Sequence, residues 1–410
     1  MNIKTLFGTV ATAALVAAAP AGALTIQLNN LNNVTAGTDA LRGFTAAAHF
    51  WESVISNNVT VKLNVGFSQL APNVLGSTSS TTNVAYVGNV LPAIRASGAS
   101  RLDAIAVLPT TRASSFVGGA AFDALISGPK ANGSGVLQPP VRVLDNNASA
   151  NNSAFSANTS LMKALGLTPT YTGANAAIQA DGTVQFSNQF NFDFNPENGI
   201  SSNAIDFIGV AIHEIGHALG FRSGVDTYNG NLNFSGNLGD FALFSIWDIF
   251  RYSAASTAMG VNDLAIGGTV ALNTAPYFSL DGGATIFTSP EGRAYFSTGT
   301  GIYGDGRQAS HWKDNVPGSP QLGLLDPTVA FGQQSEISSL DLAAYDAMGW
   351  SLTLDALRGI ANDKKFSTRI LNTTAAIAVP EPATWALMIG GFGMVGGAVR
   401  RQRRSGFATA

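Results

Sequence analysis

The sequence predicts an α+β fold with a mixed β-sheet, one helix that carries paired histidines, and a C-terminal subdomain. Several early segments alternate apolar and polar residues, which is typical of half-buried strands. Other segments repeat large apolar residues every three or four positions, which is typical of amphipathic helices. The chain has 410 residues, of which 46% are hydrophobic, so it can bury a sizeable core.

Both ends of the chain have the composition of targeting signals. Residues 1–23 combine Lys4, an apolar stretch and small residues up to Ala23, which predicts a secretory signal peptide. Residues 380–410 begin with Pro-Glu-Pro, continue with an apolar run and then have four arginines between positions 400 and 404, which predicts a short hydrophobic helix followed by a basic stop-transfer cluster. This tail resembles the PEP-CTERM sorting signal. The resemblance implies transient anchoring in the inner membrane, removal by an exosortase-type enzyme, and a secreted or cell-surface location in a Gram-negative bacterium.

The remaining chain divides into three predicted parts. Residues 24–201 form the N-terminal part of the domain with the sheet, residues 202–351 hold the histidine helix and the C-terminal subdomain, and residues 352–379 form a linker. Without the two end segments 17 basic and 24 acidic residues remain, a net charge of about −7, which disfavours nucleic acid as a partner. The absence of cysteine excludes disulfides and thiol chemistry.

Four elements are predicted in the N-terminal part. Thr25–Asn30 is a first strand, Asp39–Ile55 has the apolar spacing of a helix, and Val59–Ser68 alternates like a strand. Residues 177–195 contain Asp181-Gly182 between two alternating runs, which predicts a hairpin. By analogy with other enzymes that bind extended chains, we expect this segment, just ahead of the histidine helix, to supply the edge strand that aligns an extended substrate.

Two helices are predicted in the C-terminal part. The first runs from about Ser202 to Leu219 and ends at Gly220. Its apolar stripe consists of Ile205, Ile208, Ile212, Ile215 and Leu219. The second covers Ser339–Met348, beyond a region rich in aromatic residues and short strand-like segments.

The sequence His-Glu-Ile-Gly-His, which begins at His213, predicts a zinc site. His213 and His217 are one helical turn apart and can bind the same ion. Glu214 is then placed to take a proton from a water that the zinc activates for attack on a peptide carbonyl. The motif therefore indicates a zinc-dependent endopeptidase that acts on peptides or proteins.

A third protein ligand is required, and two candidates follow from the residues. The longer pattern HExxHxxGxxH, typical of metzincins, continues to Gly220 but has Ser223 at its last position. Asp226 follows this turn closely, and His311 lies much further along the chain.

The chain resembles the leishmanolysin-type metallopeptidases, which belong to the metzincins among the zincins. The resemblance rests on residues 213–221, on Ser310-His311-Trp312 and on residues 324–330 and 339–350, all in the family's order. It implies a zincin-like catalytic domain with Zn²⁺ bound by His213, His217 and His311. Leu325 stands where that family has the methionine beneath the metal, so apolar bulk is kept without the sulfur.

Other readings of these residues are weaker. His49 fits an ordinary helix histidine, Ser223 has no paired base to make it a nucleophile, and the Asp/Asn/Gly loops contain no EF-hand pattern. One alternative function remains open, a non-catalytic zinc-bound envelope or biofilm-matrix protein on the same scaffold. Glu214 argues against it, because a structural zinc has no use for that carboxylate.

Overall fold

The computed structural model describes residues 23–31, 34–316 and 319–359. Residues 1–22 of the predicted signal peptide, residues 360–379 of the predicted linker and the sorting tail therefore lie outside the described residues. The strands are β1 (Thr25–Asn30), β2 (Thr60–Ser68), β3 (Gly76–Ser80), β4 (Thr82–Tyr86), β5 (Thr111–Ala113), β6 (Ala120–Phe122), β7 (Ala124–Ser127), β8 (Arg142–Asp145), β9 (Ala154–Asn158), β10 (Gly182–Ser187), β11 (Phe192–Asp193), β12 (Ile205–Asp206), β13 (Arg251–Tyr252), β14 (Asn262–Asp263), β15 (Tyr277–Phe278), β16 (Thr288–Ser289) and β17 (Gly292–Arg293).

The α-helices are α1 (Asp39–Val54), α2 (Val87–Ser97), α3 (Ala150–Ser153), α4 (Thr159–Ala164), α5 (Phe207–Ala218), α6 (Val225–Gly230), α7 (Ala254–Thr257), α8 (Ser339–Met348) and α9 (Ala356–Gly359). The predictions for β1, α1, β2 and α8 are confirmed within two residues at each end. Ser338 caps α8 by accepting a hydrogen bond from the Asp341 amide, which explains why the helix begins there.

The largest sheet has four strands in the order β1-β2-β10-β3. The first three are parallel, and β3 is antiparallel to β10. The strand β3 therefore lies at an edge of the sheet, with β10 as its partner, and β10 is an inner strand. The expectation that the segment of β10 would be the edge strand is wrong, because β3 covers its outer side.

The predicted hairpin at Asp181-Gly182 is also wrong. Asp181 is fully buried, and its carboxylate accepts hydrogen bonds at 2.7–2.8 Å from the Lys62 amide, Lys163 Nζ, Thr159 Oγ1 and the Tyr171 hydroxyl. A turn residue would face solvent. Here the aspartate instead joins β2 and α4 to the start of β10.

The histidine helix begins later than predicted, at Phe207 rather than Ser202. Ile205 and Asp206 form the short parallel strand β12 beside β11, so Ile205 does not belong to the helical stripe. The Asp206 side chain caps the helix by accepting from the Gly209 amide at 3.0 Å. The capping aspartate is the physical reason for the later start.

Helix α5 packs against α1 and against strands β3 and β10 of the large sheet, and α1 contacts strand β1 of the same sheet. The Trp51 indole on α1 donates to the Ile212 carbonyl at 3.0 Å, and Ile208, Ile212 and Ile215 are buried. Downstream, β13 pairs with β15 and β14 joins β7 and β8 in a separate three-stranded sheet. Among the described residues, no helix is long and apolar enough to cross a membrane.

Candidate metal centre

Three histidine side chains meet at one point beside α5. The Nε2 atoms are separated by 3.0 Å between His213 and His217, by 3.2 Å between His217 and His311, and by 3.3 Å between His311 and His213. Across the part of the chain that the structure describes, these residues form the one group of three or more His, Cys, Asp or Glu side chains close enough to share an ion. The structure thus brings His311, and not Asp226, to the pair.

Backbone carbonyls set the orientation of the rings. His213 Nδ1 donates to the Leu324 carbonyl at 2.7 Å, and His217 Nδ1 donates to the Phe221 carbonyl at 2.6 Å. His311 Nδ1 makes a longer contact of 3.4 Å with the Gln308 carbonyl. Because a carbonyl only accepts, each Nδ1 carries the hydrogen and each Nε2 of a neutral ring presents a lone pair. Three lone pairs that face one another could be shared by a single metal ion.

Burial keeps these rings neutral. It lowers the pKa of His213 to about 4 and, with the neighbouring His213 as a smaller cause, the pKa of His217 to about 3. Burial, followed by the two other histidines, also lowers the pKa of His311 well below its usual value. A tetrahedral zinc with Zn–N bonds of about 2.0–2.1 Å separates its nitrogen ligands by about 3.3 Å. The donor set and its spacing fit that ion.

Asp226 holds the segment that carries the third histidine. Its carboxylate accepts from the Ala309 amide at 2.7 Å, the Ser310 amide at 3.0 Å and the Ser310 hydroxyl at 2.6 Å. The Ser223 amide donates to the same hydroxyl at 2.8 Å. Both carboxylate oxygens of Asp226 are engaged by protein donors, so this residue positions His311 instead of replacing it as a ligand.

A second buried carboxylate organises the other side of the site. Asp341 on α8 is fully buried and accepts from the Leu324 amide at 2.7 Å, the Leu325 amide at 3.2 Å and the Trp312 indole at 2.8 Å. The carbonyl of Leu324 accepts the hydrogen bond from His213 Nδ1, and Trp312 directly follows His311 in the chain. Asp341 therefore contacts the segments that position both histidines. Leu325 itself is fully buried, which agrees with its expected role as apolar bulk.

Glu214 is held by the edge strand β3. Only 5% of the residue is exposed, and its Oε2 accepts from the Thr78 hydroxyl at 2.6 Å. A Cβ atom built on Gly76 would lie 2.6 Å from Glu214 Oε1, so a side chain at that position would displace the carboxylate. Burial raises the pKa of Glu214 to about 7, against the opposing effect of the Thr78 hydrogen bond. A carboxyl with such a pKa can both accept and release a proton near neutral pH.

These groups line one cleft of about 890 Å³. Strand β3 forms one wall, α5 with its two histidines lies along the cleft, and the segments around His311 and Leu324 complete it. The cleft is open to solvent and bordered by the edge strand β3.

Two other residues weighed from the sequence lie elsewhere or act structurally. His49 is a half-exposed residue of α1 whose Nε2 lies 3.7 Å from the Glu52 carboxylate, and it takes no part in the histidine group. Ser223 is buried and donates to Asp248 at 2.5 Å. Its hydroxyl therefore supports the turn after α5.

Comparisons with known proteins bear on the end of the chain. Residues 378–404 match the family model described as the PEP-CTERM protein-sorting motif. The motif is recognised by exosortase-type processing enzymes and indicates export to the surface or exterior of a Gram-negative cell. A search of curated proteins and a search of solved structures each found no match to this chain.

Proposed function

We propose that this chain is an exported zinc-dependent endopeptidase, with Zn²⁺ bound by His213, His217 and His311 and with Glu214 as the general base. One observation carries the proposal: three imidazole lone pairs converge beside a buried carboxylate in an open cleft. A transient stage at the inner membrane, before the sorting tail is removed, belongs to the same proposal.

In the proposed reaction the metal, Glu214 and strand β3 have separate roles. When bound, Zn²⁺ supplies Lewis acidity for the attacking water and for the scissile carbonyl. Glu214 accepts the proton of that water and delivers it to the leaving amine. No described strand pairs with the outer edge of β3 beside the cleft, so the substrate backbone can add to it as an antiparallel strand. In this proposal β3, and not β10, aligns the peptide.

The alternative of a non-catalytic surface or matrix protein draws support from the sorting motif. The placement of Glu214 argues against it, because the carboxylate is held in the cleft between two histidine ligands by a specific hydroxyl. A purely structural metal needs neither the carboxylate nor an open cleft.

Metal analysis and a peptidase assay on the purified mature protein test the proposal together. We expect one zinc per chain, and we expect casein hydrolysis that a chelator abolishes and added Zn²⁺ restores. One bound zinc without hydrolysis in the wild-type protein would favour the matrix-protein alternative. Absence of zinc would refute both.

A further inference from the structure

The side chains on one face of β3 are small or hydroxylated, and they contact α5. Thr78 Oγ1 lies 2.8 Å from the Glu214 carbonyl, and Ser80 Oγ donates to the His217 carbonyl at 3.2 Å. Gly76, Thr78 and Ser80 alternate along the strand, so they share this face. The edge strand is thus attached by hydroxyl groups to the helix that carries the motif.

Thr78 makes a second contact, with the side chain of the same glutamate. Its Oγ1 lies 2.6 Å from Glu214 Oε2, and among the described residues no other group donates a hydrogen bond to that carboxylate. Gly76, two residues earlier, leaves room for the carboxylate, since a Cβ there would meet Oε1, Cγ and Cδ at 2.6–3.0 Å. One strand therefore both confines and anchors the carboxylate.

We propose that Thr78 is a positioning residue that holds the Glu214 carboxylate in its working orientation relative to a peptide on β3. The inference rests on the proposed function. Since the same strand would bind the substrate backbone, substrate and base would share one rigid support. Misplacing a catalytic group by about 1 Å costs on the order of 100-fold in rate, so the hydroxyl should affect turnover far more than binding.

The test compares Thr78→Val, which keeps the shape without the hydroxyl, with Thr78→Ser, which keeps the hydroxyl. We expect Thr78→Val to lower kcat about 10- to 100-fold with KM within twofold and with full zinc content, and Thr78→Ser to restore most of kcat. Thr183→Val is the matched control, because Thr183 lies on the adjoining β10 and accepts from the Asn64 amide instead of contacting Glu214. Unchanged kcat in Thr78→Val, or equal loss in Thr78→Ser, would overturn the proposal.

Gly76→Ala provides a second route if Thr78→Val folds poorly. It should displace the carboxylate and lower kcat while zinc content stays complete, and normal kcat would count against the proposal. Crystal structures of zinc-loaded wild type and Thr78→Val separate this inference from the proposed function. If the wild type cleaves no peptide, the proposed function fails. The positioning role is tested separately, because it is refuted if the Glu214 carboxylate has the same position in Thr78→Val as in the wild type.

Discussion

Replacing Asp226 with alanine removes the carboxylate that holds the third histidine in place. Two backbone amides and one hydroxyl, from Ala309 and Ser310, then lose their acceptor in a partly buried setting. Each buried donor without a partner costs about 1–3 kcal/mol, and water that enters the gap offsets part of this. We expect the free energy of unfolding to fall by roughly 2–4 kcal/mol.

The same change should weaken the metal site without abolishing it. Groups that orient a metal ligand typically contribute 10- to 100-fold in affinity, so we expect the zinc dissociation constant of Asp226→Ala to rise by about that factor. His311→Ala, which removes a ligand, should cost clearly more. Competition with a chromophoric chelator measures both constants, and thermal unfolding with and without zinc measures stability.

The comparison of the two variants can refute the reasoning. Loss of zinc in Asp226→Ala together with tight binding in His311→Ala would show that the compact site with Asp226 as a ligand is correct. Asp240→Ala serves as the control, because Asp240 is an exposed acid whose loss should change stability by no more than about 0.5 kcal/mol.

Three further predictions follow from the site, the core and the tail. Glu214→Gln should keep zinc bound yet lower peptidase activity by several orders of magnitude, since an amide cannot accept the water's proton, and steady-state kinetics with metal analysis checks this. Burial, with Asp103 as a smaller cause, raises the pKa of Asp346 to about 7. The unfolded chain therefore loses this proton at a lower pH than the folded protein, so wild-type stability should fall as pH rises from about 4 to 7. Denaturant unfolding should then show Asp346→Asn more stable than wild type, by on the order of 2–4 kcal/mol, at pH 8 but not at pH 4. Intact mass spectrometry of the released protein should find no residues from about Pro380 onward, and retention of Arg400 would contradict exosortase processing.

The sequence predicted the elements whose signals are local. Helix α1 has a continuous apolar spacing and a Thr38 cap, and α8 has a capping box. Residues next to each helix therefore determine where it begins. The histidine pair is equally local, since its spacing matches one helical turn. His311 was favoured over Asp226 by family resemblance, because no spacing rule links positions that are 94 residues apart.

What the sequence did not reveal depends on tertiary contacts. Thr78 and Glu214 are 136 positions apart, and a threonine in a Ser/Thr-rich strand has no feature that marks it. Asp181-Gly182 has the composition of a turn, yet the aspartate is buried and four donors bond to its carboxylate, which makes it an internal anchor. Asp226 was noticed for its chemistry as a possible ligand, and only the structure shows that its oxygens are already occupied by the segment it positions.

The position of Asp341 has a consequence for the time at which the site forms. A nascent chain that has passed His311 contains all three histidines, but it still lacks the carboxylate that fixes Leu324 and Trp312. That carboxylate lies on α8, among the last elements that the structure describes ahead of the sorting motif at residues 378–404. The histidine site is therefore completed late in synthesis, when nearly the whole exported domain has been made. If the protein is the peptidase proposed above, this order of assembly leaves it little opportunity to cleave its neighbours before export.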